Sequence, residues 1–259
     1  MSRRTFLPRT TRVIVFIIRP LLMLLTKRDW KGAEKLPQTG GYVLAPNHIS
    51  HLDPFTISHF MVDHGVTPRF LAKDTLMTAP VVGAILRSAE QIPVRRRTAN
   101  AKDSLGPAEA AVREGKVVTI YPEGTITRDP AAWPMTGYTG AVRVALSTGA
   151  PLVPVMQWGP EAILWPYTKR PRLLPRKTIH IRVSDPLDLS DLEGQELTDT
   201  LLRAATDRLM DTLTAMMADV RGELPSTPRI DAHTIGKHGS TKPAVEVSGP
   251  RPDNDEREQ

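Results

Sequence analysis

Between residues 30 and 224, short apolar runs alternate with longer stretches whose apolar positions recur at helical spacing. The runs at 42–45 (YVLA), 69–72 (RFLA), 92–94 (IPV), 117–121 (VVTIY), 152–157 (LVPVMQ) and 178–183 (TIHIRV) read as strands. Several are apolar throughout rather than alternating, the pattern of strands buried on both faces. Helices are expected near 54–64, 80–88, 100–115, 138–149 and 198–221. The last is the clearest, with Leu202, Ala205, Leu209, Leu213, Met216 and Val220 forming one stripe that belongs in a core. Strand–helix alternation predicts an α/β fold with a mixed, largely parallel sheet flanked by helices. In such sheets the chemistry collects where strands end and loops begin.

The two ends of the chain break this pattern. Residues 13–25 read VIVFIIRPLLMLL, an apolar run interrupted by Arg19 and Pro20. A spanning helix needs about 20 apolar residues, and no small-residue cleavage site follows, as a secretory signal would require. Arg3, Arg4, Arg9, Arg12, Arg19, Lys27 and Arg28 accompany the run, with no acidic residue before Asp29. The expectation is a basic amphipathic segment, residues 1–29, lying in the membrane interface with its arginines at anionic headgroups. A buried N-terminal helix is the alternative. Past residue 224 the chain is rich in proline and poor in large apolar residues, and 225–259 is expected to be a disordered tail. The folded domain is then 30–224.

Charge and composition narrow the partners. The net charge of +6 favours phosphate-bearing partners. With only 5% aromatics and no interleaved aromatic–arginine platform, nucleic acid is not expected. The chain has no cysteine, so disulfides, thiolate nucleophiles and Cys-ligated zinc are excluded.

Three polar groupings sit at predicted strand ends. In NHISHLDPF, residues 47–55, His48 follows the first strand and Asp53 precedes Pro54. Asp before Pro is a helix-start signal, so Asp53 read blandly is a cap. A cap does not account for His48. A turn between them would let the carboxylate accept the Nδ1 proton and leave Nε2 as a base. His48, His51, Asp53, His59 and His64 could instead ligate a metal, but they lack ligand spacing and no HExxH is present; no metal is expected. His59 and His64 read as helix-surface residues. The second grouping is YPEGT, residues 121–125, followed by Arg128, where Glu123, Gly124 and Thr125 form a turn able to approach a ligand closely. The third is basic: Lys73, and Arg95 to Arg97, suited to a phosphate clamp.

Taken together and in order, these blocks resemble the 1-acylglycerol-3-phosphate (lysophosphatidate) acyltransferase family of NHxxxxD-type glycerolipid acyltransferases. NHISHLD is similar to the first block, KDTLMTAPVVGAILRSAEQIPVRR to the second, YPEGT to the third and GAPLVPV (149–155) to the fourth. The resemblance covers residues 30–185. It implies a glycerolipid acyltransferase-like α/β core with a hydrophobic tunnel, working in phospholipid biosynthesis at the cytoplasmic face of the cell membrane. It also implies transfer of a fatty acyl group from acyl-CoA or acyl carrier protein to a lysophosphatidate-type hydroxyl, with no cofactor beyond the acyl donor. His48 is the implied general base and Asp53 its orienting partner. Asn47, Lys73, Arg96, Glu123, Gly124, Thr125 and Arg128 fall on implied substrate-binding positions. Ile126 stands where many members carry an arginine, and Tyr138 where a lysine is common.

Overall fold

Strand β2 (Tyr42–Pro46) shows how this sequence makes its fold. Every residue of it is buried, because alternate side chains enter opposite cores. Val43 and Ala45 pack on one face against α5 (Gly106–Arg113), α6 (Gly140–Thr148) and α8 (Asp199–Arg221). Tyr42 and Leu44 pack on the other against α2 (Asp53–Asp63), through Ile57, Phe60 and Met61.

The computed structural model describes residues 7–94 and 104–231. A five-stranded sheet has the order β1-β7-β6-β2-β5, with β1 Thr26–Lys31, β5 Val117–Thr119, β6 Leu152–Trp158 and β7 Lys177–Val183. Only the β6–β7 pair is antiparallel; β1 with β7, and β2 with both β6 and β5, are parallel. A parallel bridge from Phe70 to Thr119 carries the sheet on to the pair β3 (Leu71–Lys73) and β4 (Ile92–Val94). The remaining helices are α1 (Arg9–Leu25), α3 (Asp74–Met77), α4 (Pro80–Ser88) and α7 (Pro160–Ile163). The mixed, mostly parallel sheet with flanking helices is the expected architecture.

Several details differ from the pattern-based reading. Strand β1 (TKRDWK) is polar because it is an edge strand, and the expected boundary at residue 29 falls inside it. His59 is buried rather than on the surface, its ring edge-on to Trp30 at 5.0 Å between centroids. Residues 225–231 lie back on the domain: Ile230 O accepts from Thr136 N, and Arg229 pairs with Asp211 of α8. Residues 232–259, the start of the helix expected from 100, and Arg95 to Arg97 lie outside the described residues.

α1 is apolar on two sides. Ile14, Val15, Ile18 and Leu22 face inward over a cavity, while Phe16 (81% exposed), Ile17 and Leu24 face out. The Arg19 guanidinium and, from β1, that of Arg28 both donate to Asp63 at the end of α2, at 2.7 and 3.0 Å. Among the described residues no helix is long and apolar enough to cross a membrane.

Candidate active site

The site forms where β2 and β6 end side by side. Beyond Pro46 the strand pairing is continued by side chains. The Asn47 Oδ1 accepts Gln157 N at 2.7 Å, its Nδ2 donates to Gln157 O at 3.1 Å, and Gln157 Nε2 donates back to Asn47 O at 3.1 Å. Thr56 Oγ1 on α2 donates to Gln157 Oε1 at 2.8 Å. Asn47 and Gln157 are fully buried, so these bonds are made in a low-dielectric setting where an unpaired amide would cost about 1–3 kcal/mol.

This double clamp fixes the main chain that carries His48. From the other side the loop after β5 grips the same residue. Glu123 Oε1 accepts His48 N at 2.8 Å, and Thr127 N donates to His48 O at 2.7 Å. The second Glu123 oxygen accepts Met135 N at 3.1 Å. Glu123 is fully buried, and burial pushes its pKa up to about 8, against the two N–H donors that favour the ionised form.

The turn 49–53 aims a carboxylate at the imidazole. Asp53 makes no capping bond to α2, whose first turn it opens. Its Oδ2 instead accepts Ile49 N at 2.6 Å, Ser50 N at 2.9 Å and the Nδ1 proton of His48 at 2.8 Å. Burial raises the Asp53 pKa, while the imidazole and the two N–H groups pull it back towards the carboxylate. The oxygen that contacts His48 is thus a committed acceptor, which places the imidazole proton on Nδ1 and leaves Nε2 with a free lone pair. The ring is held flat by Tyr121, stacked at 4.2 Å between centroids and 24° between planes. Ser50 Oγ donates to Leu164 O, tying the same turn to the segment after β6.

His48 opens into a cavity of about 540 Å³, within the usual range of ligand pockets. Its walls are mostly apolar: α1 from above, Pro54, Phe55 and Val62 along α2, and Leu76 and Ile85 from α3 and α4. Lys73 at the end of β3 lies on its margin. His59 also lines it, and burial lowers the pKa of that imidazole although Asp63 opposes the shift.

The other expected site residues divide into two groups. Asn47 and Glu123 lie beneath His48, with their polar atoms engaged by the main chain. Gly124, Thr125 and Arg128 are half-buried along the loop beside it. Gly124 has φ +66°, and a Cβ there would sit 2.9 Å from the Tyr138 ring, which packs over the turn. The Arg128 guanidinium lies over the Tyr167 ring at 5.8 Å, and the Tyr167 hydroxyl donates to Ile126 O at 2.5 Å. Arg96 lies outside the described residues. Gln157, Thr127 and Tyr121 were not expected as site residues; a glutamine closing an otherwise apolar strand was the one local signal for the first. Among the described residues no three His, Cys, Asp or Glu side chains gather as metal ligands.

The fold is thus an α/β sandwich in which a histidine–carboxylate pair, at the end of a mostly parallel sheet, faces an apolar cavity. The acyltransferase family model matches residues 27–158, more than half of the chain, and the protein belongs to that family. Curated relatives include 1-acyl-sn-glycerol-3-phosphate acyltransferase BAT2, chloroplastic, of Brassica napus, 30% identical over 53% of this chain and 39% of its own length. The 1-acyl-sn-glycerol-3-phosphate acyltransferase of Bacillus subtilis is 25% identical over 69% of this chain and 84% of its own. That of Borreliella burgdorferi is 27% identical over 70% and 71%. The crystal structure of the 1-acyl-sn-glycerophosphate (LPA) acyltransferase PlsC from Thermotoga maritima shares the fold. Its TM-score is 0.60 at 18% identity, covering 83% of this chain and 81% of that one.

Proposed function

We propose that the protein acylates the free hydroxyl of a 1-acylglycerol-3-phosphate, taking the acyl group from acyl-CoA or acyl carrier protein. The observation that carries this reading is the His48 imidazole, oriented by Asp53, at the mouth of the apolar cavity. The activity for which the relatives are named supports the acceptor class.

In this scheme Nε2 of His48 removes the acceptor's hydroxyl proton as the oxygen attacks the thioester carbonyl. The C–O bond forms, the C–S bond breaks, and the proton passes from His48 to the departing thiolate. Asp53 stabilises the imidazolium between these steps. The acceptor supplies the nucleophile, so no acyl-enzyme is required. The cavity takes an acyl chain, since burying each methylene there is worth about 0.8 kcal/mol. Lys73, Arg96 and Arg128 are the cations assigned to the acceptor phosphate, with Gly124 and Thr125 shaping the loop near it. Asn47 and Glu123 act from below, by holding the His48 main chain. The outward apolar side of α1 lies in the membrane interface, at the cytoplasmic face, where both substrates partition.

The test is CoA release from acyl-CoA with lysophosphatidate, for the wild-type chain and His48→Ala. The variant should lose at least 10³-fold in kcat and still bind lipid vesicles. Transfer at the wild-type rate by His48→Ala would overturn the mechanism, and no CoA release from the wild-type chain with this acceptor would overturn the proposed substrate.

A further inference from the structure

The segment between α7 and β7 contains KRPRLLPRK, residues 169–177, which none of the chemistry above uses. Five of its nine residues are cations, and no acidic residue occurs from Ala162 to Ser184. Residues 167–176 are exposed throughout, and Leu174 is 76% exposed beside Leu173. Among the described residues, Lys169, Arg170, Arg172, Arg176 and Lys177 form no ion pair, whereas Arg19, Arg69, Arg182 and Arg208 each do. An exposed pair of leucines inside an uncompensated basic loop is costly for solubility in water and suited to a surface with apolar depth and negative charge.

Its position in the fold is equally specific. The Arg176 guanidinium donates to Met23 O at 2.8 Å and Thr26 O at 2.7 Å, satisfying carbonyls that the end of α1 leaves open. The loop is therefore fastened to the same end of α1 that exposes Leu24 and Lys27. We propose that residues 169–176 form a second membrane contact, in which Lys169, Arg170 and Arg172 bind the phosphate headgroups of an anionic bilayer and Leu173 and Leu174 enter its interface. A single shallow apolar element binds membranes weakly and reversibly, and a basic patch is the usual second signal. The inference adds to the interfacial reading of α1 but rests on different residues. An acidic protein partner, such as a carrier protein, would use the cations and leave the two leucines in water, so the lipid surface fits the segment better.

The experiment uses the full chain and sedimentation with vesicles of phosphatidylcholine, alone or with one-third phosphatidylglycerol. The variant Lys169→Gln/Arg170→Gln/Arg172→Gln keeps Arg176 and Lys177, so the contact to α1 remains. Its partition onto anionic vesicles should fall on the order of 100-fold, with each cation near such a surface worth about fivefold. Wild-type binding should weaken as salt rises, and the two proteins should bind neutral vesicles alike. Leu173→Ser/Leu174→Ser should weaken binding to both kinds of vesicle. Unchanged partition of the triple variant on anionic vesicles would overturn the proposal. So would a parallel loss of CoA release in neutral detergent micelles, which would place the segment in the site or the fold. Loss of transfer from acyl carrier protein with vesicle binding intact would also overturn it, by making the patch a protein dock. A separate variant, Phe16→Ser/Leu24→Ser, reports on α1: loss of neutral-vesicle binding there supports that reading whatever the loop does.

Discussion

The floor and the roof of the candidate active site are built on opposite principles. Beneath His48, Asn47, Gln157, Glu123 and Asp53 form a dry polar layer in which nearly every donor has a designated acceptor. Above and beyond it, α1, α2 and α4 offer apolar side chains with few directional contacts. Hydrogen bonds fix position to a few tenths of an ångström, which a proton transfer needs. Apolar contact rewards buried area and tolerates sliding, which suits a chain of varying length. The difference is between a layer that sets geometry and one that sets only volume.

Damage to the floor should therefore be large and indifferent to the acyl chain. Asp53→Asn keeps the shape of the turn but offers an amide where Oδ2 accepted three donors. A fall in kcat of about 10³-fold is expected, with the same factor for long and short acyl donors. A loss that grew with chain length would mean the floor also holds the chain, and the contrast would fail.

Burial of a carboxyl just past β6, next to that floor in the chain, should also be visible in stability. Glu161, at the start of α7, accepts Gly159 N at 2.7 Å and is almost wholly buried, which raises its pKa from 4.5 to about 7. Between those pH values the folded chain holds a proton that the unfolded chain has released. Stability contributed by this group is thus present at low pH and lost as pH rises through 7. Glu161→Gln, whose carbonyl can still accept from Gly159, removes that dependence. Relative to the wild-type chain it should gain up to about 3 kcal/mol between pH 4 and pH 8, read from urea midpoints. Parallel pH dependence of the two proteins would show that burial does not perturb Glu161.

The roof should respond in proportion to what it covers. Ser58 lines the cavity one turn along α2 from Pro54. Ser58→Trp should displace about three methylenes, lowering kcat/KM for long-chain donors roughly 50-fold and leaving short-chain donors near their original rate. Equal losses on both donors would mean that the cavity does not take the acyl chain.

The legibility of the molecule follows the same division. The strand runs and helical stripes were readable because each element's periodicity reports its own burial: α8, for example, is found at Asp199–Arg221 against an expected 198–221. β1 was not readable, because an edge strand with one neighbour needs no apolar pattern. His59 was misjudged as a surface residue because its burial is supplied by Trp30, a residue of that unrecognised strand. His48 and Asp53 were recognisable as a pair because they stand five positions apart, close enough for a single turn to join. The bland alternative of a helix cap fails only on the observed direction of the carboxylate, back towards residues 49 and 50.

By itself the sequence determined the order of the apolar strands and the longer helices, the spacing of His48 and Asp53, the absence of a thiol nucleophile and the basic character of the N-terminal end. These are local properties, set by periodicity, spacing and residue type. Tertiary structure alone decided that Glu123, 75 residues from His48, holds that residue's N–H, and that Gln157, 110 residues from Asn47, completes the strand end. It also decided that α1 roofs the cavity and that a basic loop from the far side of the chain is pinned to its end. The physical reason is that each of these contacts satisfies a group left open by another element. Which element supplies the partner depends on how the sheet orders its strands, not on the residues nearby in the chain.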